Sequence, residues 1–215
     1  MPQRALALLE PRKSPLQARS TASVEAILQA TIQVLLQVGK ERLTTTRVAA
    51  RAGVSVGTLY QYFPNKSALL KAVLKRHLAG INEAIVSVCK QLEGETPRNM
   101  AQALVTAFLA AKMRDAKTSV ALYSVSSDVD GAKIARQMAI PSHQAIVHML
   151  STASQPLTTD PQLIATMLQS LMAGVSRRIL ESSSPEKELQ ALRQELTFVA
   201  CAYLEACTTP RIPSQ

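Results

Sequence analysis

Cysteine is scarce in this 215-residue chain, and the three that occur, Cys89, Cys201 and Cys207, are odd in number and widely spaced. That excludes the disulfide framework of a secreted protein and shows none of the spacing of a metal-ligand set. Reduced thiols in a cytoplasmic protein are the expectation. Glycine occurs seven times, and nowhere in the pattern of a P-loop, a dinucleotide fingerprint or a nucleophile elbow. The apolar run nearest the N-terminus, Ala5 to Leu9, is too short for the core of a signal peptide. No run is read as approaching transmembrane length. The alternation of β-strands is missing throughout, so the chain reads as all-α, with no cofactor, no metal and no membrane partner expected.

Acidic residues are short in one region only. Residues 1–78 hold 12 Lys and Arg against 3 Asp and Glu, a difference of 12 − 3 = +9. Residues 79–215 hold 12 of each, so the whole net charge of +9 lies in the first third of the chain. Such a segment is suited to a polyanion.

The same third carries the most specific motif, TTTRVAARAGVSVGTLYQYFPNKSALL, Thr44 to Leu70. Thr45 is read as the N-cap of a helix starting at Thr46, with Val48, Ala49 and Ala52 on its inner face. Gly53 can end that helix in the left-handed region, Val54 supplies an apolar plug, and Ser55 caps a second helix from Val56 to about Tyr62. Pro64 stops it, and Asn65 caps a long helix that opens with Lys66. Two short helices crossing at a glycine turn form a helix-turn-helix, whose second helix enters the major groove. Its outward residues are Val56, Gly57, Thr58, Tyr60, Gln61 and Tyr62. Hydroxyls at Thr58 and Tyr60 suit phosphate oxygens, Gln61 can pair with adenine, and Lys66 in a first helical turn favours a phosphate.

The string AARAGVSVGTLYQYFPNK resembles the DNA-binding signature of the tetracycline-repressor-like (TetR) family of bacterial regulators, over roughly Val24 to Leu74. By position, the resemblance implies phosphate contacts at Thr45, Thr58, Tyr60 and Lys66. It places Thr46, Arg47, Val56, Gly57 and Gln61 nearest to bases. Val56 departs from the polar residue often found there and is suited to a thymine methyl group.

The rest of the chain is organised around that motif. Residues 1–21, with three prolines and Arg4, Arg12, Lys13 and Arg19, read as a flexible basic arm. Residues 22–75 form the helix-turn-helix domain, 76–208 a helical ligand-binding and dimerisation domain, and 209–215 a tail. Helix starts are marked by cap-then-proline pairs at Thr96-Pro97, Asp160-Pro161 and Ser184-Pro185. A helix over Lys117 to Ser126 is broken by SSDVDG. A further helical pattern from Lys133 is kinked or split by Pro141.

The last two helices have broad apolar faces with the small residues Ala165, Ser170, Ala173, Gly174, Ala191 and Ala200. Paired with a second copy they can form a four-helix interface, which the family resemblance also implies. Candidate ligand-pocket residues are Phe108, Met113, Tyr123, Met138, His143, His148, Met149, Met167 and Met172, since methionine walls adapt to apolar ligands. They are equally ordinary core filler. His143 and His148 are five apart and do not share a helix face, so they are not read as a metal site.

The reading that follows is a sequence-specific, homodimeric repressor released from a palindromic operator by an unknown small-molecule effector. The alternatives are a ligand-independent or partner-controlled DNA-binding protein and, remotely, an all-α enzyme using one of those histidines as base.

Overall fold

The computed structural model describes residues 18–182 and 184–209, and within them every regular element is helical. In chain order these are α1 (Ala18–Arg42), α2 (Thr45–Ala52), α3 (Val56–Tyr62), α4 (Lys66–Gln91) and α5 (Pro97–Met113). There follow α6 (Ala116–Ser126), a 3-10 turn (Ser127–Val129), α7 (Gly131–Met138), α8 (Ile140–Ser151), α9 (Pro161–Glu181) and α10 (Pro185–Ala206). Residues 1–17 of the expected arm and 210–215 of the expected tail lie outside the described residues.

Several boundaries differ from the expectation, each for a local reason. Helix α1 begins at Ala18, before the 21/22 boundary, because Ser20, Thr21 and Ser23 stand in its opening turns, where hydroxyl side chains are tolerated. The regular helix breaks at Gly39 (φ 74°, ψ 172°), a region open only to glycine. Helix α7 starts at Gly131 rather than Lys133, and Pro141 splits the pattern rather than kinking it. It stands in the first turn of α8, where the missing N–H has no partner to lose. Asp160 accepts from the amide of Gln162, as a cap should. Ser184 precedes α10 without a side-chain capping bond.

The stretch Ser20–Arg42 does have the length and mean hydropathy, 1.2, of a membrane span, contrary to the sequence reading. Ile27, Leu28, Val34 and Leu35 of this stretch are buried, and α1 is in contact with α2, so packing within the protein accounts for these four.

The chain divides into two compact units. The first comprises the described residues up to Leu78 together with Lys117–Arg136, and the second comprises Ala79–Ala116 and the described residues from Gln137 onward. Helix α4 contributes to both.

The core of the first unit contains Ile27, Leu35, Leu43, Val48, Leu59, Phe63, Leu69 and Val73, joined by Leu122, Val125, Val129 and Ile134. Each such side chain contributes about 1.5–3 kcal/mol on burial. Glu25 of α1 and Arg76 of α4 pair at 3.0 Å, and the hydroxyl of Ser119 lies 3.1 Å from Nε2 of His77, which ties α6 to α4 by a polar contact as well.

In the second unit α5 touches α8, α9 and α10, and α9 touches α8 and α10. Met100, Leu104, Ile146, Met149, Ile164, Met172, Leu196 and Leu204 form its interior. The loop before α9 is tied to the end of α10 by the amide of Thr158, which donates to the Cys207 carbonyl at 2.7 Å.

Candidate nucleic-acid interface

The local chemistry of α2 and α3 explains why the polar face stands where it does. The three consecutive threonines offer three possible caps, and the chain uses Thr44, whose hydroxyl accepts from the amide of Arg47 at 3.3 Å. The cap therefore lies one residue before the expected Thr45, and α2 starts at Thr45 rather than Thr46. Thr45 is freed for another contact: its hydroxyl lies 3.0 Å from that of Tyr60, linking the start of α2 to the outer face of α3.

Gly53 ends α2 at φ 68°, ψ 28°, with its N–H directed to the carbonyls of Ala49 and Ala50. A left-handed residue is required there, and glycine adopts it without the steric cost of a Cβ. Ser55 caps α3, its hydroxyl accepting from the amide of Thr58 at 3.0 Å and meeting the Thr58 hydroxyl at 2.9 Å. Beneath these groups lie Val48, Ala49, Leu59 and Phe63, all buried. Phe63 was missed in the sequence, although its place between the helix and Pro64 marks it as an anchor.

The outer surface is polar with one apolar exception. Val56 and Tyr60 are 36% and 39% exposed, and Gly57 and Gln61 are exposed beside them. Thr58 and Tyr62 are half-buried. Gly57 has an ordinary φ, and a Cβ there would meet nothing nearer than the Ser55 hydroxyl at 3.7 Å. The fold thus has no need of glycine at 57, and its bare backbone leaves room for another molecule to approach α3 closely.

Two of the expected basic contacts are engaged with the backbone of α1. The guanidinium of Arg47 donates to the carbonyl of Arg42 at 2.9 Å, and the amine of Lys66 donates to the carbonyl of Lys40 at 2.7 Å. Asn65 caps α4 through Ala68 at 2.8 Å, which places Lys66 at the first turn as the sequence predicts. Arg51, which sequence reasoning left out, donates to Gln33 at 2.6 Å, so α1 and α2 are also joined at the surface.

This surface, with its glycine turn, capped second helix and basic unit, corresponds to a known family. The description "Bacterial regulatory proteins, tetR family" matches residues 27–73, and "Tetracyclin repressor-like, C-terminal domain" matches residues 96–204, about half of the chain. The chain belongs to the tetracycline-repressor family. TetR-family proteins are DNA-binding transcriptional regulators, and this chain has their all-α architecture.

The chain is 32% identical over 74 residues to the HTH-type transcriptional regulator BetI 2 of Chromohalobacter salexigens, a match covering 34% of this chain and 36% of that one. It therefore spans only about a third of that relative's length. BetI of Vibrio atlanticus is 25% identical over 186 residues, covering 81% of this chain and 92% of that protein. Among solved structures, a TetR-family regulator from Mesorhizobium loti superposes with a TM-score of 0.70 at 18% identity, over 88% of this chain and 98% of the other.

In the second half of this TetR-family regulator the expected pocket residues are scattered by environment. Met149 and Met172 are fully buried, while Phe108, Met113, Met138 and His143 are half-buried. Tyr123 belongs to the first unit and the two histidines to the second, so the three are not gathered within one unit. The ring nitrogens of His143 lie 2.7 Å and 2.9 Å from the amide oxygens of Gln169 and Gln162. His148 is exposed, 3.6 Å from Glu93, and Met167 is 42% exposed, so neither lies in the unit's interior.

Two open grooves do occur in the second unit. One, of ≈ 460 Å³, lies between α5 and α10 beside Arg98, Thr106, Arg193 and Phe198. The other, of ≈ 530 Å³, lies between α4 and α5 beside Val88, Leu92 and Ala107. Neither is lined by any of the expected pocket residues. Among the described residues no cluster of His, Cys, Asp or Glu could hold a metal ion. All three cysteines are buried and unpaired, and burial pushes the Cys89 thiol up to about 12.

Proposed function

We propose that the chain is a homodimeric repressor that binds a palindromic operator in the cytoplasm and leaves it when a small molecule occupies the second half of the chain. The observation that carries this reading is the outer face of α3. Val56, Gly57 and Gln61 stand exposed on a helix whose position is set by Gly53, Ser55, Leu59 and Phe63. In this reading Thr45, Thr46, Arg47, Thr58, Tyr60, Tyr62 and Lys66 surround it with phosphate and groove contacts. Lys66 keeps two N–H groups for a phosphate after donating one to the Lys40 carbonyl.

Dimerisation is supported by the exposed apolar side chains of α9 and α10. Leu163, Met167, Phe198 and Val199 are exposed, Phe198 at 69% being the extreme. Of the small residues first assigned to that face, Ala165 and Ala200 are buried within the unit and serve its own core. Ser170, Ala173, Gly174 and Ala191 are exposed and remain available to a partner. A single helix-turn-helix has a small footprint, and two copies on a palindrome are the usual route to operator affinity.

A ligand-independent regulator is the second reading. It is favoured by the scatter of the expected pocket residues among buried, half-buried and exposed positions. Selection of bound DNA from a random library tests both readings at once. A palindromic consensus whose binding is lost in the presence of an effector from the regulated pathway supports the first. A palindrome bound equally with every candidate effector supports the second, and no enrichment over random DNA overturns the first.

A further inference from the structure

Lys66 is not the only lysine at the edge of this surface. Its amine donates to the carbonyl of Lys40, so the backbone of Lys40 lies directly beside the expected phosphate contact. That carbonyl lies in the last turn of α1, where carbonyls lack a partner within the helix, and Gly39 at φ 74° and ψ 172° breaks the helix just before it. The Lys40 ammonium itself is paired with Asp128 at 3.3 Å. The two partners are 88 residues apart in sequence, and both belong to the first unit.

The carboxylate is presented by a constrained turn. Asp128 lies in the 3-10 turn Ser127–Val129, with Val129 buried beneath it. Asp130, with φ 57°, is the one non-glycine residue with positive φ among those described. Gly131 follows, and a Cβ there would fall 2.5 Å from Cβ of Ser126 and 2.7 Å from its carbonyl. A left-handed aspartate and a glycine with no room for a side chain are conformations that the surrounding structure has to impose. The position of the Asp128 carboxylate is thereby tied to how α6 and α7 meet.

We propose that Lys40 is a second phosphate-binding cation of the DNA interface and that Asp128 is a carboxylate latch that competes with DNA for it. The proposal rests on the reading of Lys66 and α3 as the DNA-binding surface. The side chains of Lys40 and Asp128 are 34% and 45% exposed, so the pair is solvent-screened and weak. A phosphate oxygen offers Lys40 an equivalent partner, and exchanging Asp128 for DNA needs no buried charge to be uncovered. A change in the α6–α7 segment that withdraws Asp128 adds one cation per protomer to the interface. One that advances it removes that cation and brings a negative charge toward the phosphates. The C-terminal half of the sequence would in this way adjust DNA affinity through a single ion pair.

The test is the salt dependence of binding to two labelled duplexes, a selected operator and a mixed-sequence control, for the wild type, Asp128→Asn and Lys40→Ala/Asp128→Asn. Asp128→Asn is nearly isosteric, and an unchanged melting temperature verifies its fold. The expected result is tighter binding by Asp128→Asn to both duplexes, with a plot of log K against log salt steeper by up to about 0.9 per protomer. That gain vanishes in the double variant. An unchanged slope in Asp128→Asn overturns the latch. A gain that persists without Lys40 also overturns it, since removal of one negative charge would then act without the lysine. Failure of the wild type to bind either duplex overturns instead the DNA-binding reading on which the latch depends.

Discussion

Helices α2 and α3 and helices α9 and α10 both have an exposed face, but they build it in opposite ways. In α2 and α3 the apolar residues other than Val56 are largely sunk, and the rest of the surface is assembled from hydroxyls, an amide and a bare glycine, held by the hydrogen bonds of Thr44, Thr45, Ser55 and Tyr60. In α9 and α10 the exposed residues include the large apolar side chains Leu163, Met167, Phe198 and Val199. The first surface needs particular atoms at particular places. The second needs only apolar area of suitable shape, which many sequences supply. Hydrogen-bonded readout is specific because a missing partner leaves a group unsatisfied, whereas apolar contact tolerates exchange.

The comparison can be broken first at its foundation. Phe63→Ala removes a fully buried ring beneath α3 and is expected to destabilise the first unit by about 3–5 kcal/mol, read as a lower denaturant midpoint. A loss under 1 kcal/mol would show that α3 is held chiefly from elsewhere. Next comes the turn: Gly53→Val places a β-branched residue at φ 68°, and a loss of at least about 1–2 kcal/mol follows from the left-handed backbone alone.

On the other surface, Phe198→Asp is expected to leave the protomer's helical content intact and to weaken self-association at least tenfold by sedimentation. Unaltered association would place the dimer contact away from α10. Lys66→Ala sharpens the contrast on the polar side. Binding to all sequences should weaken alike, and the salt slope should become shallower by about 0.9 per protomer. A selective loss on one sequence would make Lys66 a base reader. The smallest expected change is in Cys89. With its thiol pushed up to about 12 and buried, it should resist alkylation at neutral pH until the protein unfolds, as mass spectrometry can follow.

Legibility in the sequence follows the same division. Gly53, Ser55, Asn65, Thr96 and Asp160 announce their roles because each acts on backbone groups only two to four residues away. The run of three threonines misled by one position, since any of them can cap and only the surroundings select Thr44. The start of α1 was obscured by polar residues that a helix tolerates in its opening turns. The pairing of Lys40 with Asp128, and with it the inclusion of residues 117–136 in the first unit, has no local signature at all. The methionines could not be sorted by spacing either. Met172 and Met167 share one helix, yet the first is buried and the second exposed.

The exposed apolar face on α9 and α10 also has a consequence for gene dosage. If a second copy of the chain covers that face, as proposed, the active species is second order in chain concentration. At levels below the dimer dissociation constant, halving the expression of the protein would cut the dimer to about a quarter, and the loss would reach the operator before any effector acts. The side chains of Leu163, Met167, Phe198 and Val199 would then set how steeply the regulator responds to its own abundance.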